Sequence, residues 1–81
     1  MSKYPNLTDA DSIIMEILWR DGAVTSSAIR KEVKNVLNWS RQTVNTYLNR
    51  LIEKGLVAVE EVNKRVYKYY AIVSREEYAA D

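Results

Sequence analysis

Between residues 39 and 50 the chain sets a run of amides, hydroxyls and cations: Ser40, Arg41, Gln42, Thr43, Asn45, Thr46, Asn49 and Arg50, with Trp39 just ahead. On a helix advancing ~100° per residue, Gln42, Thr46, Asn49 and Glu53 fall on one side, flanked by Asn45 and Arg50. The opposite stripe is apolar: Val44, Tyr47, Leu48, Leu51 and Ile52. A helix face that only meets water is ordinarily filled with Glu and Lys, which are good helix formers. Here the first two turns carry Gln, Thr and Asn, mostly poorer formers, which spends helix stability without a structural need. These residue types suit one chemistry. Gln and Asn offer paired donors and acceptors that match adenine N6/N7, Arg matches guanine O6/N7, and Thr bonds a base or touches a thymine methyl. Gln42, Asn45, Thr46, Asn49 and Arg50 are therefore candidate readers of base edges.

A second set suits phosphate oxygens. Helix N-termini bind anions through free backbone N–H groups, and Ser40, Arg41 and Thr43 stand at such a terminus. The Trp39 indole N–H is a donor within reach of the same position, although packing between the second and third helices accounts for this residue equally well. Lys64 and Arg65, in a later turn, suit an adjacent groove or backbone; the alternative is a solvated basic turn.

The rest of the composition excludes other chemistries. The 81 residues hold no His and no Cys. That removes the Ser-His-Asp triad, the Cys-His pair, the HExxH zinc motif and any disulfide. No metal site, cofactor or catalytic residue is expected, and the chain is not expected to be an enzyme. No apolar run approaches ~18 residues and the N-terminus has no apolar signal core, so a cytoplasmic location without membrane contact is expected. The net charge of +1 conceals an asymmetry. Residues 1–29 carry −2, residues 30–70 carry +5 and residues 71–81 carry −2. A basic middle fits a surface facing a polyanion, or a solvated surface with clustered charges.

The elements that must position these groups are legible from caps and periodicity. Residues 1–7, with Pro5, read as a flexible tail. Thr8 caps a first helix over residues 9–20, with Asp11 three residues on as a weak version of the capping box and Gly22 ending it. Its apolar face is Ala10, Ile13, Ile14, Ile17 and Leu18. Met15 and Trp19 lie on another side, which suits a docking stripe for a partner or second subunit, but the hairpin or C-terminal segment is expected to cover them because apolar stripes at helical spacing are usually core. Ala23-Val24 allows a very short strand. Thr25 caps a second helix to about Val36, burying Ile29, Val33, Val36 and Leu37 and exposing Arg30, Lys31 and Lys34. Ser40 caps the third helix, which runs from Arg41 to Lys54 before Gly55. The period then changes to that of strands. Leu56–Val59 and residues 65–73 predict a two-stranded hairpin turning at Val62-Asn63-Lys64, with Asn63 suited to left-handed backbone. One face of Tyr67, Tyr69 and Tyr70 is expected to pack rather than stack on bases. Ser74 and Glu77 form a capping box for a fourth helix. Three helices closed by a hairpin is a mainly α fold with a small β-hairpin, the winged helix-turn-helix arrangement.

Several runs together resemble the BlaI/MecI/CopY family of bacterial transcriptional repressors. These are Leu7-Thr8-Asp9-Ala10-Asp11 with Ile17-Leu18-Trp19, and Asn38-Trp39-Ser40-Arg41-Gln42-Thr43-Val44-Asn45-Thr46-Tyr47-Leu48-Asn49-Arg50-Leu51. Lys54-Gly55-Leu56-Val57 and Arg65–Tyr70, followed by Val73–Tyr78, complete the match. Arg41 departs from the pattern, since many relatives carry Pro there, a residue equally suited to a first helical turn. The resemblance implies a homodimeric repressor on a palindromic operator in double-stranded DNA, controlling copper-homeostasis or β-lactam-resistance genes. By overall likeness the chain leans to the copper-responsive branch. In such proteins an N-terminal winged helix binds DNA and a C-terminal helical segment dimerises. The resemblance therefore divides the chain into a tail (residues 1–7), a DNA-binding domain (residues 8–73) and the start of a helix (residues 74–81) leading to a dimerisation and effector segment that the sequence does not include. The competing reading is a winged-helix protein–protein interaction module, which would show an apolar patch on the third helix instead of an amide and hydroxyl face.

Overall fold

The computed structural model describes residues 6–80, and the side chains of Asn35, Val36 and Ala80 lie outside that description. The expected tail therefore falls mostly outside the described residues, but Leu7 packs against the core. Helix α1 spans Asp9–Asp21, strand β1 Val24–Thr25, helix α2 Ser26–Leu37 and helix α3 Arg41–Glu53. Strands β2 (Val57–Asn63) and β3 (Val66–Ala71) follow, and α4 (Arg75–Ala80) closes the described chain.

Each helix begins where a hydroxyl satisfies an otherwise orphan N–H. Thr8 Oγ1 accepts from Asp11 N at 3.1 Å while Thr8 N donates to Asp11 Oδ2 at 3.4 Å, a complete capping box. Thr25 Oγ1 accepts from Ala28 N at 3.2 Å and Ser40 Oγ from Thr43 N at 3.1 Å. Ser74 and Glu77 exchange the same pair of bonds at 3.0 and 3.2 Å. Helix α3 is released by Gly55 at φ 79°, where Leu56 N returns to Leu51 O at 3.1 Å. That left-handed step aims the chain straight into β2.

The core is built from one stripe of each helix. Ile14, Met15, Ile17 and Leu18 of α1 meet Ile29 and Val33 of α2 and Val44, Leu48 and Leu51 of α3, under a lid of Leu56, Val57 and Val73. Met15 is fully buried, and Trp19 donates Nε1–H to the Val73 carbonyl at 2.9 Å and meets Tyr78 at 6.1 Å between ring centroids. The C-terminal segment thus covers this side of α1, as its apolar residues require. Asp11, also fully buried, accepts from Lys54 Nζ at 2.7 Å and ties the start of α1 to the end of α3.

Four local expectations differ from the structure. Leu37 is 36% exposed rather than buried, because the last turn of α2 outruns the core before Asn38, at φ 56°, turns the chain away; the expectation for Val36 lies outside the described side chains. The hairpin turn sits one step later than expected. Asn63 still pairs with Val66, a register shift between Glu61 and Asn63 takes up one residue, and Arg65 rather than Asn63 is the left-handed residue at φ 68°. The sheet has three strands, in the order β1-β3-β2, because β1 pairs with the other edge of β3 through Val24–Tyr69 and Thr25–Lys68. Of the three tyrosines only Tyr69 packs against the core; Tyr67 lies toward the hairpin tip past the helices and Tyr70 sits on the outer face, and both are exposed.

Candidate nucleic-acid interface

Helix α3 buries Val44, Leu48 and Leu51 and leaves Gln42, Asn45, Thr46, Asn49 and Arg50 exposed. The core therefore fixes which side of this helix faces outward. A depression of about 320 Å³ opens on that side, lined by Ser40, Gln42, Thr43, Thr46, Tyr47 and Arg50. Of the five candidate base readers, the fold gathers Gln42, Thr46 and Arg50 here. Asn45 and Asn49 are exposed but do not line the depression.

Hydrogen bonding sets what each group presents. Ser40 Oγ already accepts from Thr43 N and lies 2.9 Å from Thr43 Oγ1. These two hydroxyls hold the first turn and retain only part of their capacity for a phosphate. Thr46 Oγ1 donates to the Gln42 carbonyl at 2.9 Å, so the Thr46 methyl and oxygen lone pairs remain to meet a ligand. Trp39 neither packs deeply nor stands free. It is half-buried and stacks on Tyr47 with ring centroids 5.1 Å apart and planes 29° from parallel. Among the described residues its indole N–H makes no hydrogen bond. Arg50 Cζ lies 5.7 Å from the Tyr47 ring centroid. Tyr47, read in the sequence only as part of the inward stripe, thus belongs to the rim of the site as well. Its wheel position, one step of ~40° from Thr43, was the available signal.

The cations divide by partner. Arg20 pairs with Asp21 and Glu32, Arg75 with Glu16, and Lys54 with Asp11. Among the described residues Arg41, Arg50, Lys64 and Arg65 enter no ion pair, and neither do Arg30, Lys31, Lys34 and Lys68. Arg41 is exposed at the N-terminus of α3, and Lys64 and Arg65 are exposed at the hairpin tip. An arginine at φ 68° is backbone strain that a glycine would relieve. The sequence keeps a cation there instead. Among the described residues no group of three or more His, Cys, Asp or Glu is placed to hold a metal, and no helix is long and apolar enough to cross a membrane.

Three helices, a three-stranded wing and an open polar face on the third helix define a winged helix-turn-helix protein. Residues 7–81 match the family model described as penicillinase repressor, and the chain belongs to that family. The penicillinase repressor of Bacillus licheniformis is 30% identical over 78 residues, which cover 96% of this chain and 60% of that protein. The chain thus spans about three-fifths of this curated relative's length. The solution structure of the DNA-binding domain of the repressor BlaI superposes with a TM-score of 0.80 at 29% identity, covering 96% of this chain and 94% of that one. The monomeric form of Bacillus licheniformis BlaI, solved in complex with the blaP half-operator, superposes equally well, with a TM-score of 0.80 at 29% identity over 96% of this chain and 94% of that one.

Proposed function

We propose that this chain is the DNA-binding unit of a transcriptional repressor, which places α3 in the major groove of one half of a palindromic operator and acts as a homodimer in the full-length protein. The observation that carries the reading is the open depression on α3, with an amide, hydroxyls and a guanidinium facing outward. Winged and unwinged helix-turn-helix proteins use the N-terminal part of this helix to meet base edges. In this arrangement Gln42, Asn45, Thr46, Asn49 and Arg50 read bases. Trp39, Ser40, Arg41, Thr43, Lys64 and Arg65 hold phosphates on either side. The unpaired cations and the complex of BlaI with a half-operator support the same assignment. The reading needs no cofactor among these residues.

Of the two sets of genes that the resemblance leaves open, similarity to a penicillinase repressor favours β-lactam resistance. The lean toward the copper-responsive branch gains no support from the relatives described above. A protein-docking role for α3 is disfavoured, because the exposed large apolar residues of the described chain are Leu37 and residues of the wing and its exit, with none on α3.

The test is selection from a random duplex library, followed by titration of the recovered duplex beside a scrambled one at several salt concentrations. The reading expects a preference of ~10³-fold or more for the recovered sequence. Equal affinity for both duplexes would contradict it.

A further inference from the structure

We infer that Tyr47 is a positioning residue of this interface: its ring holds the Arg50 guanidinium at the depression, and Trp39 in turn holds the ring. The inference rests on the nucleic-acid reading above and deepens it.

The three side chains form one column. The Trp39 and Tyr47 rings stack at 5.1 Å and 29°, and Arg50 Cζ lies 5.7 Å from the Tyr47 centroid. Tyr47 and Arg50 are three residues apart on α3, which makes them surface neighbours. Both rings are half-buried and packed against the core, so neither swings freely, while Arg50 is exposed. Among the described residues the guanidinium has no hydrogen bond and no ion pair. The ring is therefore the contact that orients it, and the N–H donors stay available. An arginine that must be ordered on binding loses rotamer freedom at that moment, and ordering it beforehand removes part of the cost. The stack on Trp39 favours a ring at this position, and the ring face then serves the cation as well. A leucine would fill a half-buried position beside Trp39, but it lacks the negative ring face that attracts a cation.

The experiment uses the duplex recovered by selection. Tyr47→Leu is expected to weaken binding about 2- to 5-fold, the range of a surface cation–π contact. Tyr47→Phe, which keeps the ring, is expected to restore binding to within about 2-fold of the original chain. In an Arg50→Met background Tyr47→Leu is expected to add no further loss, as coupling through Arg50 requires. In the DNA-free protein the Arg50 side-chain protons should be shifted upfield by the ring in the original chain and in Tyr47→Phe, and should lose that shift in Tyr47→Leu. Thermal melting checks that each variant folds. Additive losses in the double variant, a Tyr47→Phe as weak as Tyr47→Leu, or unshifted Arg50 protons in the original chain would each overturn the inference, the last whatever the leucine variant does. If the original chain binds recovered and scrambled duplexes alike, base reading and this inference fall together; if it is selective and the coupling is absent, only the role of Tyr47 falls.

Discussion

Thr46 Oγ1 donates to the main-chain carbonyl of Gln42 at 2.9 Å, a bond that sets what Thr46 presents outward and leaves the Gln42 side chain uncommitted. The Gln42 amide is free to present both donor and acceptor, whereas Thr46 has committed its proton. Gln42→Ala is expected to cost ~1–3 kcal/mol on the preferred duplex and to relax preference at one position of the half-site, measured by titrating a panel of single-base variants. An equal loss on every duplex would assign Gln42 to the backbone instead. Arg41→Gln and Lys64→Gln are expected to weaken all duplexes alike and to lower the slope of log affinity against log salt by about 1 each; an unchanged slope removes that residue from phosphate contact. At this scale the sequence displayed the outward residues well, because the apolar stripe of α3 fixes its opposite side. It did not show that Tyr47 reaches the rim or that Asn45 and Asn49 stay out of the depression. Both depend on where neighbouring side chains rise, which the angular position of a residue does not contain.

Helices were more legible than strands, for a physical reason. Thr8, Thr25, Ser40 and Ser74 each cap the helix that follows them, and a cap is a local hydrogen bond readable from two residues. Strand β1 has two residues; Ala23-Val24 signals a very short strand one residue early, but its pairing with β3 is a long-range contact that no local pattern shows. The wing turn was displaced for a similar reason. Asn63 is the residue that tolerates left-handed backbone, yet the register shift beside it hands that geometry to Arg65. This strain yields an element-scale prediction. Arg65→Gly is expected to raise stability by about 1 kcal/mol in thermal denaturation, because left-handed backbone costs a non-glycine residue that order of energy. The same change is expected to weaken duplex binding and flatten its salt dependence. A destabilised variant would show that the arginine side chain is held by the wing for structural reasons.

Across the whole molecule, α3 is fixed at both ends. Ser40 caps its start, and Lys54 at its end reaches Asp11 on α1. Burial favours the protonated form of Asp11, but the Lys54 ammonium at 2.7 Å and the hydrogen bonds with Thr8 outweigh it, so the carboxyl sits below the usual aspartate value. Among the described residues Asp11 Oδ1 has no hydrogen-bond partner, which leaves Lys54 as the principal compensation for a fully buried charge. A depressed pKa in the folded state means that the unfolded chain binds the proton more readily. The stabilisation is therefore present above the unfolded aspartate value of about 3.9 and is lost as pH falls from there through the folded value. Urea unfolding at a series of pH values is expected to show a shallower acid loss for Asp11→Asn than for the original chain. Lys54→Met is expected to cost ~1–3 kcal/mol at neutral pH by stranding the buried carboxylate. Identical acid profiles for the two chains would remove this pair from the account.

The central claim is that the polar side of α3 and the wing tip together meet a DNA duplex, and amide chemical-shift mapping tests it most directly. On titration of isotope-labelled protein with the selected duplex, the largest shifts are expected at residues 39–50 and at Lys64 and Arg65. The outer sheet face around Tyr70 and Ile72 is expected to stay quiet. Shifts concentrated on that outer face, with α3 unmoved, would contradict the account.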